Sequence, residues 1–103
     1  MIVRHTSQMN TEDRREMRGG TGTVTVKDLL SPEEMLGHGR RYAESIVPPG
    51  ASVGLHPHEG DIEWYYIVSG QGTYSCNDER YDVAAGDLTA VGDGQRHGIE
   101  NHR

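Results

Sequence analysis

From residue 40 onwards, short β-prone runs alternate with glycine-bearing turns at intervals of roughly 8–12 residues, a rhythm that commits this chain to a stack of short strands. Residues 40–47 alternate loosely and stop at Pro48-Pro49-Gly50. Residues 63–69 are strongly β-prone and end at Gly70-Gln71-Gly72. Residues 73–76 and 80–83 flank Asn77-Asp78-Glu79, which is hairpin chemistry. Residues 88–91 lie between two Gly-Asp turns, and 97–100 form a last run. Upstream, Thr23-Val24-Thr25-Val26 alternates as a strand does. Ser31-Pro32-Glu33-Glu34 carries a hydroxyl cap, a first-turn proline and a glutamate three residues after the cap, predicting a short helical turn near residues 31–36 that Gly37 and Gly39 stop. Residues 1–22 are polar and without a clean period, and read as an arm with room for one short strand or turn of helix. Residues 23–103 read as a single all-β domain, a sandwich or barrel.

Such a domain has little with which to fill its interior. Leu, Ile and Val supply 18 of 103 residues and Phe none, so the core must be thin and needs a further source of stability. The 14 glycines are spread along the chain and argue for turns rather than disorder, and a net charge of −6 is modest for this length. No apolar run approaches the length of a membrane span, and the charged N-terminus is followed by no apolar stretch of the secretory kind. Cys76 stands alone, which excludes an internal disulfide and an all-cysteine zinc site. The arginines at 14, 15 and 18 are interleaved with Glu12, Asp13 and Glu16, so no basic stripe offers itself to nucleic acid. A cytoplasmic protein is expected, with no nucleic-acid or membrane partner.

One strand repays a face-by-face reading. Glu63, Tyr65 and Ile67 point one way, and Trp64, Tyr66 and Val68 the other. Neither face is polar throughout, so both call for cover. One face suits a barrel interior; the other suits a second sheet or a partner subunit, which makes a homodimer the expected assembly.

The chemistry-bearing residues fall on these strands. His56 and His58 are two apart and share a face, and Glu63 follows five residues later, close enough to turn a carboxylate beside them. His97 lies on a distant short strand that a barrel would bring across the interior. Three neutral imidazoles and one carboxylate suit a divalent first-row metal ion with positions left for water or substrate.

With those residues in view the sequence resembles a cupin. The first motif of that family is matched by Gly50, His56, His58, Glu63 and Gly70, with every spacing kept. The second is matched by Gly86, Gly94, His97 and Asn101, with Gly92 where proline is usual. The resemblance covers residues 40–103 firmly and 19–39 loosely. It implies a cupin-type jelly-roll β-barrel, commonly dimeric, with His56, His58, Glu63 and His97 as metal ligands. It leaves the metal open among Mn, Fe, Ni, Co, Cu and Zn. Family members usually continue past Asn101 into one more barrel strand. Here that edge is either left open, covered by the N-terminal arm or a neighbouring subunit, or cut away.

Functionally, the resemblance implies a metal-dependent enzyme acting on a small oxygen-bearing acid or carbonyl compound, of dioxygenase, decarboxylase or isomerase type. The alternative is a non-catalytic small-molecule binding or sensing domain, favoured by the lack of an evident extra acid–base residue. His5, His38 and His102 read as surface residues, and Cys76 as a small strand residue. Glu59 and Asp61 are candidates for acids behind the metal ligands, Tyr65 for a core or pocket-lining tyrosine, and Arg41 for contact with an anionic substrate. Val53, Leu55, Ile67, Val91 and Ile99 are the apolar residues expected to fill the interior around the two motifs.

Overall fold

In a computed structural model, residues 1–102 are described; Arg103, the last residue of the predicted domain, lies outside the described residues. The described residues form nine strands: β1 (Thr11–Arg15), β2 (Thr23–Leu30), β3 (Tyr42–Ile46), β4 (Ser52–Pro57), β5 (Glu63–Tyr66), β6 (Gln71–Cys76), β7 (Glu79–Ala84), β8 (Leu88–Val91) and β9 (Arg96–Glu100). Every pairing is antiparallel. The strands lie in three sheets, ordered β1-β2-β3, β4-β9-β6-β7 and β5-β8. Only β6 and β7 in the four-stranded sheet form a hairpin; β9 inserts between β4 and β6, and β8 returns to β5. That return of distant strands is jelly-roll connectivity, and the fold is the expected all-β barrel.

The turns obey the predicted glycine chemistry at two places where it matters. Gly70, at φ 78°, leads into β6, and Gly86, at φ 93°, leads into β8; both lie in the left-handed region where a side chain is strained. The capping box at residues 31–34 also forms. Ser31 N–H donates to Glu34 Oε1 at 2.8 Å and Glu34 N–H donates to Ser31 Oγ at 3.2 Å. It closes a run of hydrogen-bonded turns rather than a regular helix, because Leu36 and Gly37 both take positive φ and end it.

The N-terminal arm carries β1, a strand of five polar residues that pairs with β2 from Thr11↔Lys27 to Arg15↔Thr23. Being a sheet edge with no buried residue, it needs no apolar pattern. Beyond it, a 3₁₀ turn at Met17–Gly19 crosses β4 so closely that a Cβ on Gly54 would lie 2.1 Å from the Arg18 carbonyl oxygen.

The core is two small clusters. Val24, Val26, Ala51 and Val53 form one, under β2 and β4; Tyr74, Val83 and Val91 form the other, between β6, β7 and β8. Ile99 on β9 packs against both and joins them. Leu55 departs from expectation, being 40% exposed rather than interior. The cause is a β-bulge. Val53 pairs with Ile99 but His56 pairs with His97, so β4 spends one extra residue across Gly54–Leu55. Simple alternation from the buried Val53 would turn Leu55 inward and His56 outward. The bulge inverts that parity, expelling Leu55 and burying His56 to 7% exposure.

Candidate metal centre

The re-aimed His56 projects from β4 into the barrel, and His58, two residues on, follows onto the same side. His97 enters from β9, directly opposite His56 in the ladder and wholly buried, at 0% exposure. Glu63 enters from the start of β5, where its cross-strand neighbour is the buried Val91. The four residues predicted from the motif are thus brought together, each offering one nitrogen or oxygen, and these atoms all lie within 4.8 Å of one another. Glu63 Oε1 stands 2.8 Å from His97 Nε2, 3.1 Å from His58 Nε2 and 4.0 Å from His56 Nε2.

Around this cluster every imidazole is held from behind. His56 Nδ1 lies 2.8 Å from the Gly54 carbonyl oxygen, in the bulge. His58 Nδ1 lies 3.0 Å from Asp61 Oδ1, and Asp61 pairs in turn with Arg40. His97 Nδ1 lies 2.9 Å from the Tyr74 hydroxyl. The Tyr65 ring stacks on His97 with centroids 4.8 Å apart, and its hydroxyl donates to the Glu63 carboxylate. With the Nδ1 atoms engaged outward, the Nε2 atoms converge inward, the orientation that ligating histidines need.

Electrostatics favour the same state. Burial lowers the His56 pKa, with the His97 and Arg18 charges acting in the same direction, although the Gly54 carbonyl and Glu63 oppose it. Neutral imidazole is the form with a lone pair to give. Burial pushes Glu63 up, but the close approach of His97 and the pull of all three histidines outweigh it, leaving the carboxyl below its ordinary value. Burial drives Tyr65 far up and Tyr74 up, so both phenols stay protonated.

Three hard or borderline nitrogens and one carboxylate oxygen form a donor set that fits a divalent first-row ion. Glu63 Oε1 fits that role in a second way: it is buried and makes no hydrogen bond of full geometry, despite two ring nitrogens close by. A buried carboxylate oxygen left in that condition is costly unless a cation satisfies it.

The other candidates sort clearly. Asp61 stands behind His58, whereas Glu59 is exposed. Tyr65 belongs to the cluster, as one of the two expectations for it held. Arg41 pairs with Asp28 at 3.8 Å instead of joining the four. His5, His38 and His102 are exposed, His102 lying 2.9 Å from Thr73 Oγ1. Cys76 faces inward beside His97, its partner in the β6–β9 ladder. Sequence reasoning missed Tyr74 and Arg18. Tyr74 is one strand residue among many until β6 is laid beside β9, and Arg18 is hidden in an acid-interleaved cluster until the arm crosses β4. A cleft of about 670 Å³ opens between the β6–β7 hairpin and β8, with Tyr74 on its wall.

Comparison with known proteins agrees with this fold. The cupin-domain family profile matches residues 43–103. An oxalate-binding protein of Thermotoga maritima is 44% identical over 101 residues, covering 98% of this chain and 83% of that protein. An uncharacterised protein of Methanocaldococcus jannaschii is 36% identical over 76 residues, covering 74% of this chain and 61% of its own. The crystal structure of a predicted oxalate decarboxylase from Thermotoga maritima superposes with a TM-score of 0.92 at 43% identity, covering 99% of this chain and 88% of that one. A jelly roll that gathers His56, His58, Glu63 and His97 inside it, and matches that profile over its second half, belongs to the cupin family.

Proposed function

We propose that this cupin holds one divalent transition-metal ion through His56, His58, Glu63 and His97, and uses it to bind a small dicarboxylic acid of the oxalate class. The carrying observation is the convergence of those four donor atoms within 4.8 Å around a buried, unsatisfied Glu63 oxygen. The bound ion would supply a localised positive charge that attracts and polarises a carboxylate oxygen. The chain's own contribution is to hold the four donors rigidly and to limit water. Arg18 adds a second positive influence: its charge is felt at both His56 and Tyr65. The oxalate-binding relative supports this ligand class.

Binding without turnover is the favoured reading over decarboxylation. Among the described residues, the carboxyls and phenols beside the cluster are already committed: Asp61 to His58 and Arg40, Tyr65 to Glu63, Tyr74 to His97. None is free to deliver a proton to a reacting carbon. The decarboxylase reading draws on the likeness to the Thermotoga structure.

A homodimer completes the proposal. Ile62, Trp64, Tyr66, Val68 and Leu88 are all more than half exposed on the outer side of β5–β8 and its flanks, an apolar patch of the kind that marks association.

The test is metal analysis and calorimetry on the purified full chain. The expected result is close to one equivalent of metal, oxalate binding that disappears when the metal is stripped, and oxalate recovered unchanged after long incubation. Less than about a tenth of an equivalent after reconstitution would overturn the metal site, and formate or CO₂ release would replace binding with decarboxylation.

A further inference from the structure

The three histidines are not held alike. Gly54 offers a carbonyl to His56 and Asp61 a carboxylate to His58; both groups only accept, so each forces its partner to carry the proton on Nδ1 and to leave Nε2 bare. His97 instead faces a hydroxyl, which accepts or donates equally well. If Tyr74 donates to Nδ1, the His97 proton sits on Nε2, aimed at Glu63 Oε1 2.8 Å away, and no lone pair faces the site. If Tyr74 accepts, Nε2 is free, but the phenolic hydrogen then needs another acceptor. Tyr74 is 4% exposed, so water does not readily provide one.

The acceptor is at hand on β8. Thr89 is the ladder partner of Tyr65 and shares its inward side, and the Tyr65 ring sits edge-on to Tyr74 with centroids 6.1 Å apart. Thr89 Oγ1 is buried and makes no hydrogen bond of full geometry; with Glu63 Oε1 it is one of two such side-chain atoms among the described residues. The two orphans stand at opposite ends of one line of groups: Glu63, His97, Tyr74, Thr89.

We propose that Thr89 and Tyr74 form a hydroxyl relay that positions His97, with Tyr74 accepting from His97 Nδ1–H and donating its own hydrogen to Thr89 Oγ1. This rests on the metal-site reading above and adds the residues that make His97 competent within it. Adopting the relay moves one proton from Nε2 and takes one up at Nδ1, so the imidazole stays neutral and nothing is released. Tyr74 and Thr89 also stand on the wall of one cleft, between the β6–β7 hairpin and β8.

The test measures the affinity of stripped full-length protein for Zn²⁺ alone, by chelator competition, together with the ¹⁵N signature of the His97 tautomer. Tyr74→Phe should weaken Zn²⁺ binding about 10- to 100-fold, as loss of an outer partner does, and should spread His97 over both tautomers. Thr89→Val should weaken it about three- to tenfold, on the scale of one hydrogen bond, and Thr89→Ser should restore it. Adding Thr89→Val to Tyr74→Phe should cost nothing more, because the line is already cut. Melting of the metal-free proteins separates a folding defect from a positioning one; should Tyr74→Phe not fold, the Thr89 pair carries the test. Wild-type affinity in both single variants, or equal losses from Thr89→Val in both backgrounds, would overturn the relay. Failure of the parent reading looks different: wild type and His97→Ala would then bind Zn²⁺ equally weakly.

Discussion

The β4–β9 wall and the β5–β8 ribbon line the same interior and are built on opposite terms. In the wall, backbone crowds backbone. A Cβ on Gly98 would meet the Val53 carbonyl oxygen at 2.7 Å, and one on Gly54 would meet Arg18 at 2.1 Å, so the bulge is clamped from both sides. The ribbon is only two strands wide, polar and aromatic inward at Glu63 and Tyr65, and apolar outward, with Trp64 64% exposed. The difference teaches a division of labour. Aim is set where the chain is tightest, and association is offered where the sheet is thinnest.

The contrast can be broken most violently at the wall. Gly98→Val drives a branched side chain into the bulge; it is expected to cost at least about 2 kcal/mol of stability and to abolish metal uptake, read by denaturant melts and metal analysis. Next, His56→Ala keeps the bulge but removes the donor that the bulge aims. Bound metal should fall by about tenfold or more, and the melting temperature should drop to that of stripped wild type, since metal bound only to the folded state stabilises it. An unchanged metal content would show that the wall does not serve the site. At the ribbon the opposite pattern is expected. Trp64→Glu with Leu88→Glu should convert a dimer to a monomer in sedimentation while metal content stays at wild type; a monomeric wild type would remove association from the ribbon's account. Arg18→Gln should lower oxalate affinity by about tenfold or less, the scale of one partly exposed charge, with metal affinity unchanged. The smallest effect concerns the arm that clamps the wall. The Arg4 hydrogen bond, aided by the Ser31 backbone, lowers the Glu34 carboxyl to about 2. A depressed folded value means this anchor is fully present above the ordinary carboxyl pKa and is lost as pH falls toward 2. Arm amides should therefore lose exchange protection on acidification across that window before β4 and β9 do.

What could be read from the sequence was whatever is local. Turns at Gly70 and Gly86, the short strands between them and the His-x-His spacing depend on neighbours in the chain, and all were visible. The bulge was not, because it exists only once β9 lies beside β4 and Gly98 makes room for it. Leu55 was therefore expected inside on alternation alone, and came out. The polar strand β1 left no periodic signal, because an exposed edge buries nothing, so the arm could be given room for one short strand but no place for it. The short turn predicted at residues 31–36 forms with its capping box and stops at Leu36-Gly37, but as hydrogen-bonded turns rather than a regular helix, because a capping box starts a helix without sustaining one. The outward face of β5 was recognised as needing cover, and within a single chain the described residues supply none.

The ladder pairing of His56 with His97 also fixes when the site can come into being. His58 and His97 touch across 39 residues of sequence. During synthesis the first three donors emerge together, while the fourth waits for the rest of β5 and for β6, β7 and β8. Bringing His97 back across that span closes a long loop, which costs chain entropy. Coordination by all four donors therefore cannot precede the pairing of β9 with β4. Capture of the ion by the full set of donors thus reports a barrel that β9 has closed.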